Sequence, residues 1–289
     1  MKKIKKVKKN KRFLVQIVFT ALTNGYLLGF IQGKIYKGES KMICVPGLNC
    51  YSCPGAVGAC PIGALQSTLA GANRSFPYYI VGTLILFGVT LGRIVCGFLC
   101  PFGLVQDVLY RIKIPKLRIK TSIDRVMRYV KYVILIMFVI LFPMVLVNEF
   151  GIGTPTFCKW ICPSGTLMGG IPLVMANESL QMAVGYLFNW KIMLLVFFIV
   201  VSMFVYRPFC KYICPLGAFY GLFNRFSLYR LEVDMSKCTN CKSCEKQCKM
   251  QVQITKNINS VECIRCGDCK VVCKEGCITS TMEKVLKSV

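Results

Sequence analysis

Apolar residues in this chain come as long unbroken runs rather than in the alternation of a half-buried strand or the stripe of a surface helix. Four runs, at residues 13–31, 78–95, 129–147 and 187–206, approach the roughly 20 residues that a helix needs to cross a hydrocarbon core of about 30 Å. After the fourth the hydrophobicity falls, and 227–289 is polar and rich in cysteine. The pattern predicts a polytopic α-helical membrane protein with about four transmembrane helices. It divides the chain into a basic tail (1–12), a membrane domain (13–226) and a C-terminal domain (227–289). No small-residue A-x-A site ends the first run, so it reads as an uncleaved anchor.

Charge then sets the orientation. Residues 1–12 carry eight Lys/Arg, and the stretch from Arg111 to Lys131 carries eight more against Asp124 alone. Two spans separate these stretches, so the positive-inside rule places both in the cytoplasm. The N-terminus and 227–289 are then cytoplasmic, and the loops near 32–77 and 148–185 lie outside, in a multi-pass protein of the cytoplasmic membrane. The basic tail reads as a topogenic flank, with no nucleic acid as partner. Lys191 near the outer end of the fourth span is expected to snorkel to the headgroups, and Tyr78, Tyr79, Trp160, Trp190 and Tyr206 to sit in interfacial belts.

Composition narrows the chemistry. The 289 residues are 55% hydrophobic and 17% charged, with 19 cysteines, no histidine and a formal charge of +25. Without histidine there is no CxxCH haem attachment, no bis-His haem and no Ser-His-Asp triad; thiolates are the available ligands. An odd cysteine count in a long membrane chain argues against a simple disulfide framework.

The C-terminal domain reads Cys238-x2-Cys241-x2-Cys244-x3-Cys248 and then Cys263-x2-Cys266-x2-Cys269-x3-Cys273. This is the spacing of an α+β two-cluster ferredoxin, in which the fourth cysteine of each run serves the other cluster. Cys238, Cys241, Cys244 and Cys273 are expected at one [4Fe–4S] cluster, and Cys263, Cys266, Cys269 and Cys248 at the second. Lys249 and Lys274 replace the usual following prolines, and Cys277 falls where a small packed residue is usual. Nearby lysines and Arg265 either offset cluster charge or solubilise the surface.

Four CPxG copies punctuate the membrane domain: Cys60-Pro-Ile-Gly, Cys96-x3-Cys100-Pro-Phe-Gly, Cys158-x3-Cys162-Pro-Ser-Gly and Cys210-x3-Cys214-Pro-Leu-Gly. They suggest a duplicated hairpin, outer CPxG, span, inner CPxG, whose functional site lies at the repeat interface. Proline suits the first helical turn, so each cysteine precedes a helix N-terminus, which favours an anionic thiolate. Cys96, Cys100, Cys210 and Cys214 form the natural inner set, a third [4Fe–4S] site. Outside, Cys158 and Cys162 are expected to join Cys53 and Cys60 at a fourth, against the competing reading of disulfides among Cys44, Cys50 and Cys53.

On CGFLCPFG, CKYICPLG and the two C-x2-C-x2-C-x3-C runs, the chain resembles the NapH/MauN family of membrane ferredoxins, to which the C-terminal half of NosR and CcoG are related. The resemblance implies electron transfer between a cytoplasmic or quinol donor and an extracytoplasmic redox partner, such as a flavin-binding protein. No residue is placed as nucleophile or general base, so the chain reads as an electron-transfer subunit rather than a stand-alone enzyme. Asp107 and Glu149 are the carboxylates available to a quinone pocket. The competing classes are an iron- or redox-responsive regulatory membrane protein and a structural membrane protein with four-cysteine zinc sites. Four cubanes at roughly −2 each would bring the formal charge to about +17.

Overall fold

The computed structural model describes residues 2–71, 76–149 and 151–283, with side chains from Lys11 onward. Its helices follow the cysteine motifs. Helix α1 (Lys2–Thr23) leads to a long loop, and α2 (Pro61–Leu69) begins at the first CPxG. The apolar α3 (Tyr78–Thr90) is followed by the one-turn α4 (Ile94–Phe98) and by α5 (Pro101–Leu109). Helix α6 (Thr121–Val145) passes through a π-helical stretch at Leu135–Leu141. After the short α7 (Thr156–Trp160), α8 spans residues 163–176 with π-helical turns at Thr166–Gly170. The long α9 (Tyr186–Phe204), α10 (Pro208–Tyr212) and α11 (Pro215–Phe223) repeat the order of α3, α4 and α5.

Among the described residues, α6 and α9 are long and apolar enough to cross a membrane. Side chains such as Val133, Ile136, Val196 and Phe197 are exposed along them, as lipid contact requires. The four expected spans are therefore not four equal rods. Helix α3 has 13 residues, about 20 Å at 1.5 Å per residue, and stops where Gly92 takes a left-handed φ of 56°. Helix α1 ends at Thr23, short of the expected 31.

Cys60, Cys100, Cys162 and Cys214 each cap a helix from an extended backbone, with proline in the first turn. That placement follows from proline, which has no N–H to lose there. Helix α11 packs on α3 and α6, and α5 on α1 and α9. The repeats thus interleave and bring both inner motifs to the middle of the bundle.

The C-terminal segment closes on itself through β1 (Leu231–Val233) and β2 (Ile278–Ser280), antiparallel with Leu231 opposite Ser280, around α12 (Ser243–Gln247) and α13 (Asp268–Val272). It is not tethered loosely. Glu262 is buried, with Arg93 Nη1 at 2.9 Å from one carboxylate oxygen and Lys131 Nζ at 2.5 Å from the other. Arg93 also donates to the Val261 carbonyl at 2.6 Å. Asn224, at the end of α11, donates to the carbonyls of Ser260 (2.9 Å) and Cys263 (2.8 Å). Arg265 neither faces solvent nor solubilises: it is buried, and donates to the carbonyls of Leu91 (3.0 Å) and Asn224 (2.6 Å). Below it, Lys211 bridges Asp124 (2.5 Å) and Gln251 (2.7 Å). The basic stretch between Arg111 and Lys131 therefore supplies docking cations.

Burial alone would push the Glu262 carboxyl up, but Arg93 and Lys131 outweigh it and hold it down at about 2. A carboxylate held below its ordinary 4.5 stabilises the fold fully above that value and loses the contribution as pH falls towards about 2. Glu262→Gln strands two buried cations, and removing one partner of a buried pair costs about 3–5 kcal/mol. Denaturant unfolding in detergent should register that loss. Asp234→Asn, at the exposed Asp234–Lys237 pair, should leave the unfolding midpoint nearly unchanged.

Candidate metal centres

Two arginines build the inner centre. Each stands three residues before the first cysteine of a C-x3-C-P-x-G motif, Arg93 before Cys96 and Arg207 before Cys210, and each reaches across to the opposite repeat. Arg93 Nη2 donates to the Cys210 carbonyl at 3.1 Å, and Arg207 Nη1 donates to the Cys96 carbonyl. Both are 0% exposed. Arg207 takes a left-handed backbone, φ 49°, which is costly for a residue with a Cβ. Asp107 holds it there, accepting from Nε at 2.9 Å and Nη2 at 2.6 Å. Arg12 reaches the same carboxylate at 2.5 Å, so Asp107 is engaged in a structural triad rather than free for a quinone. Glu149 is exposed.

This frame brings Cys96, Cys100, Cys210 and Cys214 within electrostatic range of one another, all buried. Their sulfurs meet donors: Gln106 Nε2 lies 3.0 Å from Cys210 Sγ and the Gly217 N–H 3.4 Å from Cys214 Sγ. The R-x2-C-x3-C-P-x-G pattern was readable in both copies, but an arginine next to an apolar run suggests an interfacial charge until the crossing is seen.

The outer centre differs from expectation in one member. Cys60, Cys158 and Cys162 come together, and the fourth sulfur beside them is Cys50. Cys53 instead turns its thiol to Asn24 Oδ1 at 3.6 Å. Spacing before proline favoured Cys53; the turn at Cys50–Cys53, closed by the Cys53 N–H on the Cys50 carbonyl at 3.1 Å, reverses which residue faces the others. Gln66 Nε2 lies 3.4 Å from Cys158 Sγ. Lys191 does not snorkel outward, since its Nζ donates to the Cys158 carbonyl at 3.2 Å. The expected belt is also partial: Tyr78 and Tyr79 are exposed, but Tyr206 is buried beside Arg12.

The two membrane sets are linked. Gly47, in the first outer loop, approaches so closely that a Cβ there would meet the Leu99 carbonyl at 2.7 Å and Cys100 Cα at 3.1 Å. Tyr220, fully buried, donates to the Pro46 carbonyl at 3.0 Å and lies in electrostatic range of Cys60 on one side and Cys96 and Cys100 on the other.

In the C-terminal segment Cys248 joins Cys263, Cys266 and Cys269, while Cys273 joins Cys244, the crossed grouping that the spacing anticipates. Cys241 is exposed. Cys277 is more than packing: its sulfur lies 3.1 Å from Cys273 Sγ and within reach of Cys238. Beside Cys266 a cavity of about 710 Å³ opens between α1, α5 and the C-terminal segment, with Arg12, Asp107 and Tyr206 in its wall.

The donor sets suit iron–sulfur clusters. Each is made of cysteines alone, the membrane sets carry N–H donors, and buried arginines stand beside the inner one, as an anionic centre requires. Two CPxG glycines line the outer set: a Cβ at Gly63 would lie in ordinary contact with Cys158 Sγ at 3.8 Å, and one at Gly165 with Cys50 Sγ at 3.6 Å. Among the described residues no three such side chains close tightly enough to clasp a single ion.

The profile of a 4Fe-4S binding domain matches at residues 76–122, 130–173 and 187–232, each copy taking in an apolar helix and the C-x3-C-P motif after it. The methylamine utilization ferredoxin-type protein MauN of Paracoccus denitrificans is 31% identical over 236 residues, 79% of this chain and 70% of that one. The chain belongs to the NapH/MauN-type 4Fe–4S ferredoxin family. Another NapH/MauN-type relative, the ferredoxin-type protein NapH of Escherichia coli, is 26% identical, with 76% of this chain and 74% of that one covered. The regulatory protein NosR of Stutzerimonas stutzeri is 26% identical over 67% of this chain but only 24% of its own length. No solved structure matches.

The geometry separates two neighbouring cysteines of this NapH/MauN-type chain. Cys50→Ser is expected to lower bound iron by about a quarter, one cluster of four, and Cys53→Ser to leave it unchanged, measured on anaerobically purified protein.

Proposed function

We propose that this chain is a membrane-bound iron–sulfur electron carrier, passing electrons between a cytoplasmic or quinol donor and an extracytoplasmic redox partner. One observation carries the reading. Gly97, next to Cys96, sits against Ile264, next to Cys263, so closely that a Cβ would lie 2.6 Å from the Ile264 carbonyl. The backbone of the inner centre and that of the second C-terminal centre touch.

Four [4Fe–4S] sites follow in order: Cys238, Cys241, Cys244 and Cys273; Cys248, Cys263, Cys266 and Cys269; Cys96, Cys100, Cys210 and Cys214; and Cys50, Cys60, Cys158 and Cys162. Such clusters supply reversible one-electron capacity. The chain's own residues bury them, compensate their charge through Arg93 and Arg207, and shorten the gaps by folding the first outer loop inward to Cys100. Exposed Cys241 offers an edge to a soluble donor. A quinol donor has a place in the cavity beside Cys266, whose size falls among small-molecule sites of about 300–1,000 Å³.

We place residues 1–12 and the unit 227–289 in the cytoplasm, with four crossings in 13–226. The apolar part of α1, residues 13–23, and the 13-residue α3 cross with the help of the inward-dipping CPxG helices. The external partner is a redox protein, with a flavin-binding protein as the expected class.

Protein purified without oxygen should hold roughly sixteen iron and sixteen acid-labile sulfide per chain; zinc with little iron would overturn the reading. In sealed vesicles an internal reductant should reduce an external acceptor. Cys96→Ser and Cys214→Ser should each abolish that transfer, and normal transfer in both would remove the inner centre from the path.

A further inference from the structure

Two glutamines occupy matching places that no cysteine motif explains. Gln66 stands six residues after Cys60, and Gln106 six residues after Cys100. Each lies on a CPxG helix of the first repeat, and each points its amide nitrogen at the first cysteine of a C-x3-C pair in the second repeat. Gln66 Nε2 is 3.4 Å from Cys158 Sγ, and Gln106 Nε2 is 3.0 Å from Cys210 Sγ. They are 0% and 1% exposed. The second repeat has Met168 and Tyr220 at the same offset from Cys162 and Cys214, so the amides come from one repeat and the receiving sulfurs from the other.

Their surroundings differ in an informative way. The Gln66 side-chain oxygen accepts from the Phe157 N–H at 3.0 Å, which turns the nitrogen towards the Cys158 sulfur and the Ile62 carbonyl, each at 3.4 Å. The Gln106 oxygen is buried without a hydrogen-bond partner. A buried amide left half-satisfied is a cost that leucine or methionine of similar volume would not carry. What the amide keeps, and a hydrocarbon would not, is an N–H facing the Cys210 sulfur at 3.0 Å, beside a longer contact of the same nitrogen with the Phe102 carbonyl at 3.4 Å.

We propose that Gln66 and Gln106 are a matched pair of positioning residues that set the reduction potentials of the outer and inner centres through N–H···S hydrogen bonds. The inference rests on the four-centre reading above. An N–H donor stabilises the more negative, reduced form of a thiolate-bound cluster more than the oxidised form. Losing it lowers the potential of that centre and leaves the others in place. Because the donors sit on equivalent helices, one repeat tunes both faces of the membrane independently.

The test is a reductive titration of the whole protein in nanodiscs, followed by electron paramagnetic resonance, with iron and sulfide counted in every sample. Gln106→Leu should move one cluster signal to lower potential, and Gln66→Leu a different one. Full iron content with unmoved potentials in both variants would overturn the proposal. Where a leucine variant loses iron, unmutated protein carrying 15N in its glutamine side chains decides. A 15N hyperfine coupling on two cluster signals supports the pair, and its absence overturns it. Iron sufficient only for the C-terminal centres would overturn the four-centre reading itself, and the iron count tells that failure from the others.

Discussion

Everything in this fold hangs on a carboxylate held between two cations. Glu262 belongs to the C-terminal segment; Arg93 caps α4 and Lys131 lies on α6. None of the three has water to fall back on, so each is tolerable only in the presence of the others. The same arginine continues to the Cys210 carbonyl, and Glu262 immediately precedes Cys263. One ion-paired unit therefore fixes the inner cysteines against the C-terminal ones, and the contact of Gly97 with Ile264 follows from it.

The membrane part solves a second problem with the same device. Four thiolate ligands per centre must come from two repeats, and loops at membrane depth must be buried or satisfied. Arg93 and Arg207 satisfy backbone carbonyls of the opposite repeat while placing positive charge next to the sulfurs. Proline starts each following helix with its cysteine at the cap. The short helices α4, α7 and α10 are what remains when the chain must turn sharply between those fixed points.

Much of this was legible beforehand, because cysteine spacing and proline position are local signals. The crossed C-terminal grouping, the inner set of four and the CPxG helix starts all lie within reach of motif reasoning. The two helices long and apolar enough to cross a membrane, α6 and α9, were legible from hydropathy. What escaped was whatever depends on chain reversal. Cys50 rather than Cys53 faces Cys60 because of a turn whose direction spacing does not encode. Lys131, Arg128 and Asp124 read as an ordinary cytoplasmic flank, since nothing nearby in sequence announces that Glu262 or Lys211 will arrive. The arginine and glutamine positions were visible as repeats of a repeat, but their meaning lay in the crossing between halves.

The Glu262 clasp also has a consequence for how the molecule is made. A chain emerges from its N-terminus, so Arg93, Lys131 and Arg207 reach the membrane before residue 262 has been synthesised. Until then Arg93 and Lys131 stand without the carboxylate that pairs them, whereas Arg207 already has Asp107. The last sixty or so residues bring that carboxylate. The order in which the clasp assembles is thereby written in where the charges sit along the chain.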